Sequence, residues 1–290
     1  MSYRFQRSES VRDGFRRIAG EECDRFCIDL AGEDGADVHE ARKRCKMLRA
    51  LLRLVRRGID RADYCELNGE LRAIARKLGP VRNAEVRRET FAQLLAAQRK
   101  EHVLQFPVVS RALDAGARAA RNRVLSVPAM RAIIRRIGVV QERLRALELR
   151  ERGWAAIHRG LHRAYTRGRR RLREDKQTTA AARHAWRKDV KTLWYHIRLL
   201  AGVRGEKMSA LEKKLDALGE LLGDDRDLAL LAAHLRRNAS TRPHQSLFSL
   251  IQTRRDELFG EARELAAELF EKRPRAFTGR LEKWWHAWRQ

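Results

Sequence analysis

Proline is nearly missing from this chain: there are five in 290 residues, and none between Pro128 and Pro243. Arg, Ala, Leu and Glu dominate instead, and no stretch alternates apolar and polar residues over the length of a strand. That composition excludes a β-rich fold and predicts an all-α protein. No apolar run reaches the 18 residues that a membrane-spanning helix needs. The first residues, Met1-Ser2-Tyr3-Arg4-Phe5, lack the apolar core of a signal peptide, so a cytoplasmic protein is expected. The four cysteines, Cys23, Cys27, Cys45 and Cys65, form no C-x-x-C pair. They read as small packing residues in a reducing compartment. Cys23 and Cys27, one helical turn apart, are the weaker metal alternative.

Catalytic signatures are absent as well. The chain has no G-x-x-x-x-G-K-[ST] phosphate loop and no E-x-E anywhere. Asp225 and Asp227 flank Arg226 as a possible Mg²⁺ pair, but the matching positions earlier in the chain are Val81 and Asn83. His158 and His162 have the spacing of a zinc pair without a third ligand. No enzyme activity, metal or cofactor is expected. Negative charge is short too: 38 acidic residues stand against 64 basic ones, a formal net charge of +26. A surplus of that size calls for a polyanionic partner such as nucleic acid, an acidic membrane or a phosphate polymer.

What the chain does have is a motif written twice. Residues 39–53 read HEARKRCKMLRALLR and residues 184–198 read HAWRKDVKTLWYHIR. His39, Arg42, Lys43, Lys46, Leu48 and Arg53 meet His184, Arg187, Lys188, Lys191, Leu193 and Arg198 without a gap. Further on, LGPVRN at 78–83 echoes LGDDRD at 222–227, pairing Arg82 with Arg226. Ahead of each motif, GFRR at 14–17 echoes GLHR at 160–163, pairing Arg17 with Arg163. Three blocks in one order predict an internal duplication with halves at about 8–151 and 152–271, each long enough for a core. Expected helices are 8–30, 37–57, 62–78, 81–104, 108–123 and 129–151, then 152–174, 178–201, 206–222, 226–238 and 243–271. Asp225 is expected to cap the helix that carries Arg226.

Helical geometry sorts the motif into two faces. At 100° per residue, His39, Arg42, Lys43, Lys46, Arg49 and Arg53 fall within a sector of roughly 120°. Ala41, Cys45, Leu48, Leu52 and Val55 form a separate apolar stripe. In the second copy the apolar set is Trp186, Val190, Leu193, Ile197 and Leu200, and Trp194 takes the place of Arg49. A merely solvated face would mix Glu with Lys at i,i+4, and neither basic stripe contains a carboxylate. The stripes therefore read as a two-fold cationic site.

H-x-x-R-K-x-x-K-x-L-R, followed in each half by L-G-x-x-R-[N/D], resembles the CHAD family, the conserved histidine α-helical domain. The resemblance covers residues from about 8 to about 270, so 1–275 is taken as the domain and 276–290 as a Trp-rich basic tail. It implies two helical bundles related by a pseudo-two-fold axis, with a basic channel between them that binds inorganic polyphosphate, and association with polyphosphate granules. It implies His39, Arg42, Lys43, Lys46, Arg49 and Arg53 in one wall, and His184, Arg187, Lys188, Lys191 and Arg198 in the other. Arg82 and Arg226 lie alongside, and Arg17 and Arg163 join the set through the earlier echo. The departures are Arg49 becoming Trp194 and Arg44 becoming Asp189.

The chemistry fits such a partner. Polyphosphate has no base edges to read, so a row of forked and point cations is enough to recognise it. A general polyanion or nucleic-acid binder is the alternative. Sequence-specific DNA readers mix Asn and Gln with Arg, and single-strand binders interleave aromatics. The stripes hold neither apart from Trp194, so only weaker nucleic-acid binding is expected. The tail with Trp284, Trp285 and Trp288 is expected to fold back as a short helix. Nothing in the sequence fixes the oligomeric state.

Overall fold

The structure, a computed structural model, describes residues 3–32, 36–96, 106–174, 179–237 and 245–290. Among the described residues there are eleven helices and no strand. In chain order they are α1 (Val11–Ala31), α2 (Val38–Val55), α3 (Arg61–Lys77), α4 (Gly79–Ala96), α5 (Pro107–Val124) and α6 (Val127–Ala146). Then follow α7 (Gly153–Arg173), α8 (Ala180–Leu199), α9 (Gly205–Arg237), α10 (Gln245–Leu269) and α11 (Pro274–Arg289). The start signals are local. Ser10, Asp37, Asp60 and Thr179 accept hydrogen bonds from the backbone N–H groups of Asp13, Glu40, Ala62 and Ala182, each satisfying a donor that the first turn leaves open. Gly153 and Gly205 open α7 and α9 with φ of +54° and +42°, where a side chain is disfavoured.

The motif helices α2 and α8 sit at the centre. α2 packs on α1, α3, α7 and α8, and α8 packs on α7, α9 and α2. Both apolar stripes are buried as the 3.6-residue period requires, with Cys45, Leu52, Trp186 and Ile197 fully enclosed. Central placement buries more than the stripes: Leu51, Leu54, Tyr195 and His196 are also inside. One core joins both sets of helices. A smaller one lies between the ends of α4, α5, α9 and α10, around Phe91, Leu113, Leu231 and Ile251.

Two expectations are corrected. The break foreseen between 222 and 226 does not occur, because α9 runs unbroken for 33 residues. Asp225 is no cap. It lies buried within that helix, 3.0 Å from both Arg183 and Arg255, so its charge is matched by side chains from α8 and α10. The helix foreseen to 104 is described as far as Ala96, and its remainder lies outside the described residues.

The Trp-rich end forms α11 and folds back onto α7. Trp285 is 2% exposed and meets the rings of Phe5 and Trp154 at 6.2 and 6.1 Å. Arg289 ties the end down by donating to the carbonyls of Arg7 and Glu9. Trp285→Ala is expected to destabilise the fold by about 3–5 kcal/mol, the usual cost of removing a large buried aromatic. Urea denaturation measures it, and a loss within about 0.5 kcal/mol would mean that α11 is not part of the cooperative unit. No described helix is long and apolar enough to cross a membrane.

Candidate anion-binding site

Part of the motif's charge acts on Lys46: Arg42 of α2, Arg187 and Lys191 of α8, and Arg226 of α9. Water reaches the Lys46 side chain, yet protein surrounds it and its ammonium is pushed down to about 7. Burial is the first cause, followed by the charges of Arg187, Arg42, Arg226 and Lys191. The water that reaches it screens part of the repulsion. His184 lies in the same field, and burial followed by Arg226, Lys188, Arg187 and Lys46 pushes it down to about 4. His39 is half exposed and is lowered by burial, then by Arg82 and Lys46. Residues from α2, α4, α8 and α9 therefore share one positive field.

The Leu-Gly pairs of the second echo have a physical role here. Gly79 opens α4, and a Cβ on it would lie 3.4 Å from Nη1 of Arg42. Gly223 lies inside α9, and its Cβ would lie 3.1 Å from Nη2 of Arg187. One turn earlier, a Cβ on Gly219 would collide with Cδ of Lys191. Glycine in this helix marks room for a basic side chain rather than the end of the helix. Arg42 donates to the Ala75 carbonyl. The Nε atoms of Arg42 and Arg187 and Nδ1 of His184 are buried without a hydrogen-bond partner among the described residues.

The stripes carry no carboxylates, but acids elsewhere on the same helices and on neighbouring ones reach their cations. Lys191 lies 3.0 Å from Asp216 and 3.2 Å from Glu220 of α9, with its ammonium over the Trp194 ring at 3.7 Å. Arg198 pairs with Glu212, Lys43 with Glu40, Arg82 with Glu89, and Arg226 with Asp227. Among the described residues, Arg42, Lys46, Arg49, Arg53, Arg163, Arg187 and Lys188 have no carboxylate within ion-pair distance. Arg49 reaches Asn68 at 3.0 Å and is pushed down to about 10 by burial, then by Arg53 and Arg72. Arg53 reaches Thr192 at 3.4 Å.

Arg17 stands apart. Glu9 and Glu21 hold it at 2.7 and 3.1 Å, so its charge is already matched away from Lys46. Arg163 belongs with Arg56, Arg57 and Arg167, which lower it after burial does. The two departures from the repeat also find places. Trp194 is buried beneath Lys191 and Arg198, as a platform rather than a cation. Asp189 is buried against Arg167 and Arg171 of α7, whereas Arg44 pairs with Glu22 and Asp29 of α1. The sign of that helix-to-helix bridge is reversed between the copies, away from the Lys46 field.

One central residue escaped the stripe pattern. His196 is fully buried, and its Nε2–H donates to the Ala50 carbonyl at 2.9 Å, fastening α8 to α2. Only its neighbours in space, not its place in the motif, mark it. Burial pushes it down to about 4. Both His196 and His184 thus have folded pKa values below the unfolded value near 6.5. The unfolded chain takes up their protons first, so their contribution is intact above pH 6.5 and is lost as pH falls toward 4. His196 alone accounts for on the order of 2–3 kcal/mol across that window. Denaturation from pH 7 to 4.5 should show this slope, and His196→Gln should flatten it. An unchanged slope in the variant would place the acid sensitivity elsewhere.

Among the described residues no group of three His, Cys, Asp or Glu side chains is placed to hold a metal ion. A family model described as the CHAD domain matches residues 28–236. The fold is similar to the crystal structure of the CHAD domain from the plant Ricinus communis, with a TM-score of 0.64 at 20% identity, covering 94% of this chain and 96% of that one. It is also similar to PptA from Streptomyces chartreusis, with a TM-score of 0.59 at 17% identity, covering 90% of this chain and 98% of that one. No curated protein matches significantly.

Proposed function

The chain belongs to the CHAD family, and from that premise and the Lys46 geometry we propose that it binds inorganic polyphosphate in a basic channel between two duplicated helical halves. The observation that carries the reading is the set of cations without carboxylate partners around Lys46, Arg42 on its own helix and Arg187 on α8, with the neutral His184 beside them. Arg42 and Arg187 have lost part of their hydration, and their charges and that of Lys46 repel one another, an arrangement that a chain of phosphates relieves. Polyphosphate carries about one charge per unit and exposes only oxygens, which suits forked guanidiniums and a compact ammonium. Association with polyphosphate granules in the cytoplasm follows from the same reading. α11 is packed onto α7, which weakens the alternative in which its tryptophans stack on nucleic-acid bases.

The proposed role is binding without chemistry. The aspartates flanking Arg226 do not support a metal site: Asp225 is committed to Arg183 and Arg255, and Asp227 to Arg226. The test is a titration with long-chain polyphosphate at several salt concentrations, with released phosphate assayed alongside. Affinity should fall steeply with salt, by analogy with counterion release from nucleic acids, and Mg²⁺ or Mn²⁺ should release no phosphate. Salt-independent binding would contradict the channel. Metal-dependent hydrolysis abolished by Asp227→Ala would make the protein an enzyme.

A further inference from the structure

A cavity of about 630 Å³ opens beside the C-terminal end of α2, against α7 and the start of α11. The close approach of two helices creates it. A Cβ on Gly160 would overlap the Leu54 carbonyl oxygen, so only glycine lets α7 lie directly on α2. That contact gathers Arg53, Arg56 and Arg57 opposite Arg159 and Arg163, and Arg275 adds a further guanidinium from α11. No carboxylate lines the cavity. Arg167 also lines the cavity and is held by Asp189 at 2.9 Å, but among the described residues the other six arginines have no carboxylate within ion-pair distance. Their contacts are neutral: Arg53 with Thr192, and Arg56 over the Tyr64 ring at 4.5 Å.

A solvated basic face would be convex and interleaved with acids. The corresponding place at the other end of the motif pair shows how the chain closes such a region. Arg17, which echoes Arg163 in sequence, is locked by Glu9 and Glu21. Arg198, which echoes Arg53, is held by Glu212 and lies over the Tyr3 ring. The segment before α1 fills that end, with Tyr3 and Phe5 buried and the Phe5 N–H donating to the Leu199 carbonyl at 2.9 Å. One end is neutralised and filled, while the other keeps its space and six of its seven guanidiniums unmatched by a carboxylate.

We propose that the α2–α7 cavity is a second anion site that takes clustered phosphoryl groups and is occupied separately from the Lys46 cluster. Its volume is that of an ordinary small-ligand pocket, roughly 300–1,000 Å³, and its guanidiniums can each grip two phosphate oxygens. His162 and Thr166 add polar groups at the wall. The phosphoryl groups have two sources: a run of a long chain that also crosses the Lys46 cluster, or a separate compact phosphorylated molecule.

Calorimetric titration with inorganic tripolyphosphate, too short to span both places, tests the assignment. The proteins are wild type, Lys46→Glu, Arg159→Glu/Arg163→Glu, and a control, Arg131→Glu/Arg135→Glu, with the same charge change on exposed positions of α6. Wild type and control should bind at two sites. Lys46→Glu should keep the cavity site, and the Arg159/Arg163 variant should keep the other. Arg275→Glu, on a different helix, should weaken the cavity site by about tenfold, which guards against local misfolding of α7. A parallel titration with long-chain polyphosphate separates the sources. A fall of about tenfold in the Arg159/Arg163 variant supports one chain spanning both sites, and unchanged affinity alongside a lost tripolyphosphate site supports a separate ligand. Retention of two tripolyphosphate sites in the Arg159/Arg163 variant, or equal loss in the control, overturns the proposal. Loss of binding at Lys46 alone leaves it standing and removes the reading of the main site instead.

Discussion

Lys46→Glu should weaken binding of long-chain polyphosphate by about a hundredfold, while Lys191→Glu should weaken it by less than about tenfold. Reversing a charge inside a cluster of unmatched cations removes one attraction and adds a repulsion, a change of roughly 2–5 kcal/mol, and each 1.4 kcal/mol is tenfold. The repeat makes the two lysines equivalent in sequence, but their surroundings differ. Lys46 has no acidic partner among the described residues and lies in the field of Arg42, Arg187 and Arg226. Lys191 is already shared between Asp216 and Glu220. Lys283→Glu, at an exposed position of α11, carries the same change in net charge and should cost little. The ammonium of Lys46 also links binding to pH. It is pushed down to about 7 when the site is empty, so an arriving polyanion should draw a proton onto it near neutral pH. Affinity should therefore fall as pH rises from 7 to 9, and Lys46→Arg should remove most of that dependence. Equal losses in all three reversal variants would mean that net charge matters and the Lys46 cluster does not.

Polyphosphate should raise the melting temperature by about 10 °C when present at about a thousand times its dissociation constant. Mass action at that ratio supplies about 4 kcal/mol, and 1 kcal/mol moves a protein of this size by roughly 2–4 °C. Relief of repulsion has the same sign. Two unit charges 7 Å apart repel by roughly 2 kcal/mol at an effective dielectric near 20, before salt screening. Sulfate should act partially and chloride least. Lys46→Met should behave in the opposite way, melting about 2–6 °C higher than wild type when empty and gaining less from the ligand. The sign with pH follows from the depressed pKa. Protonated Lys46 burdens the folded state fully below pH 7, and the burden lifts as pH rises toward the unfolded value near 10.4. The advantage of Lys46→Met should accordingly shrink between pH 7 and 10. If the empty variant melts no higher than wild type at pH 7, the cations around Lys46 do not strain the fold.

The periodic features of the chain were legible because they are local. The stripes of α2 and α8 follow from residue spacing, and both apolar faces are buried where the 3.6-residue period puts them. The fold-back of Trp285 follows from its cost in water. What the sequence concealed depends on partners far along the chain. Gly223-Asp224-Asp225 reads as a helix break, yet Arg187 occupies the space beside Gly223 while Arg183 and Arg255 match the charge of Asp225. Lys191 and Arg198 look unpaired on their own helix, but Asp216, Glu220 and Glu212 approach from α9. Arg17 looks equivalent to Arg163 until Glu9 is seen to lock it. His196 lies off the basic stripe, and only its contact with the Ala50 carbonyl reveals its role. Periodicity located the helices and the positive field, whereas the acids that divide the field into open and neutralised parts come from tertiary contacts.

In the proposed function an array of cations suited to phosphate chains, rather than overall positive charge, selects the partner. Competition binding at one physiological salt concentration tests it most directly, with labelled long-chain polyphosphate displaced by unlabelled polyphosphate, duplex DNA, RNA or heparin at matched charge. The account predicts that unlabelled polyphosphate displaces the label at concentrations at least about tenfold lower than any of the others, and that Lys46→Glu abolishes this preference. Equal displacement by DNA and polyphosphate would contradict it and leave a general polyanion binder.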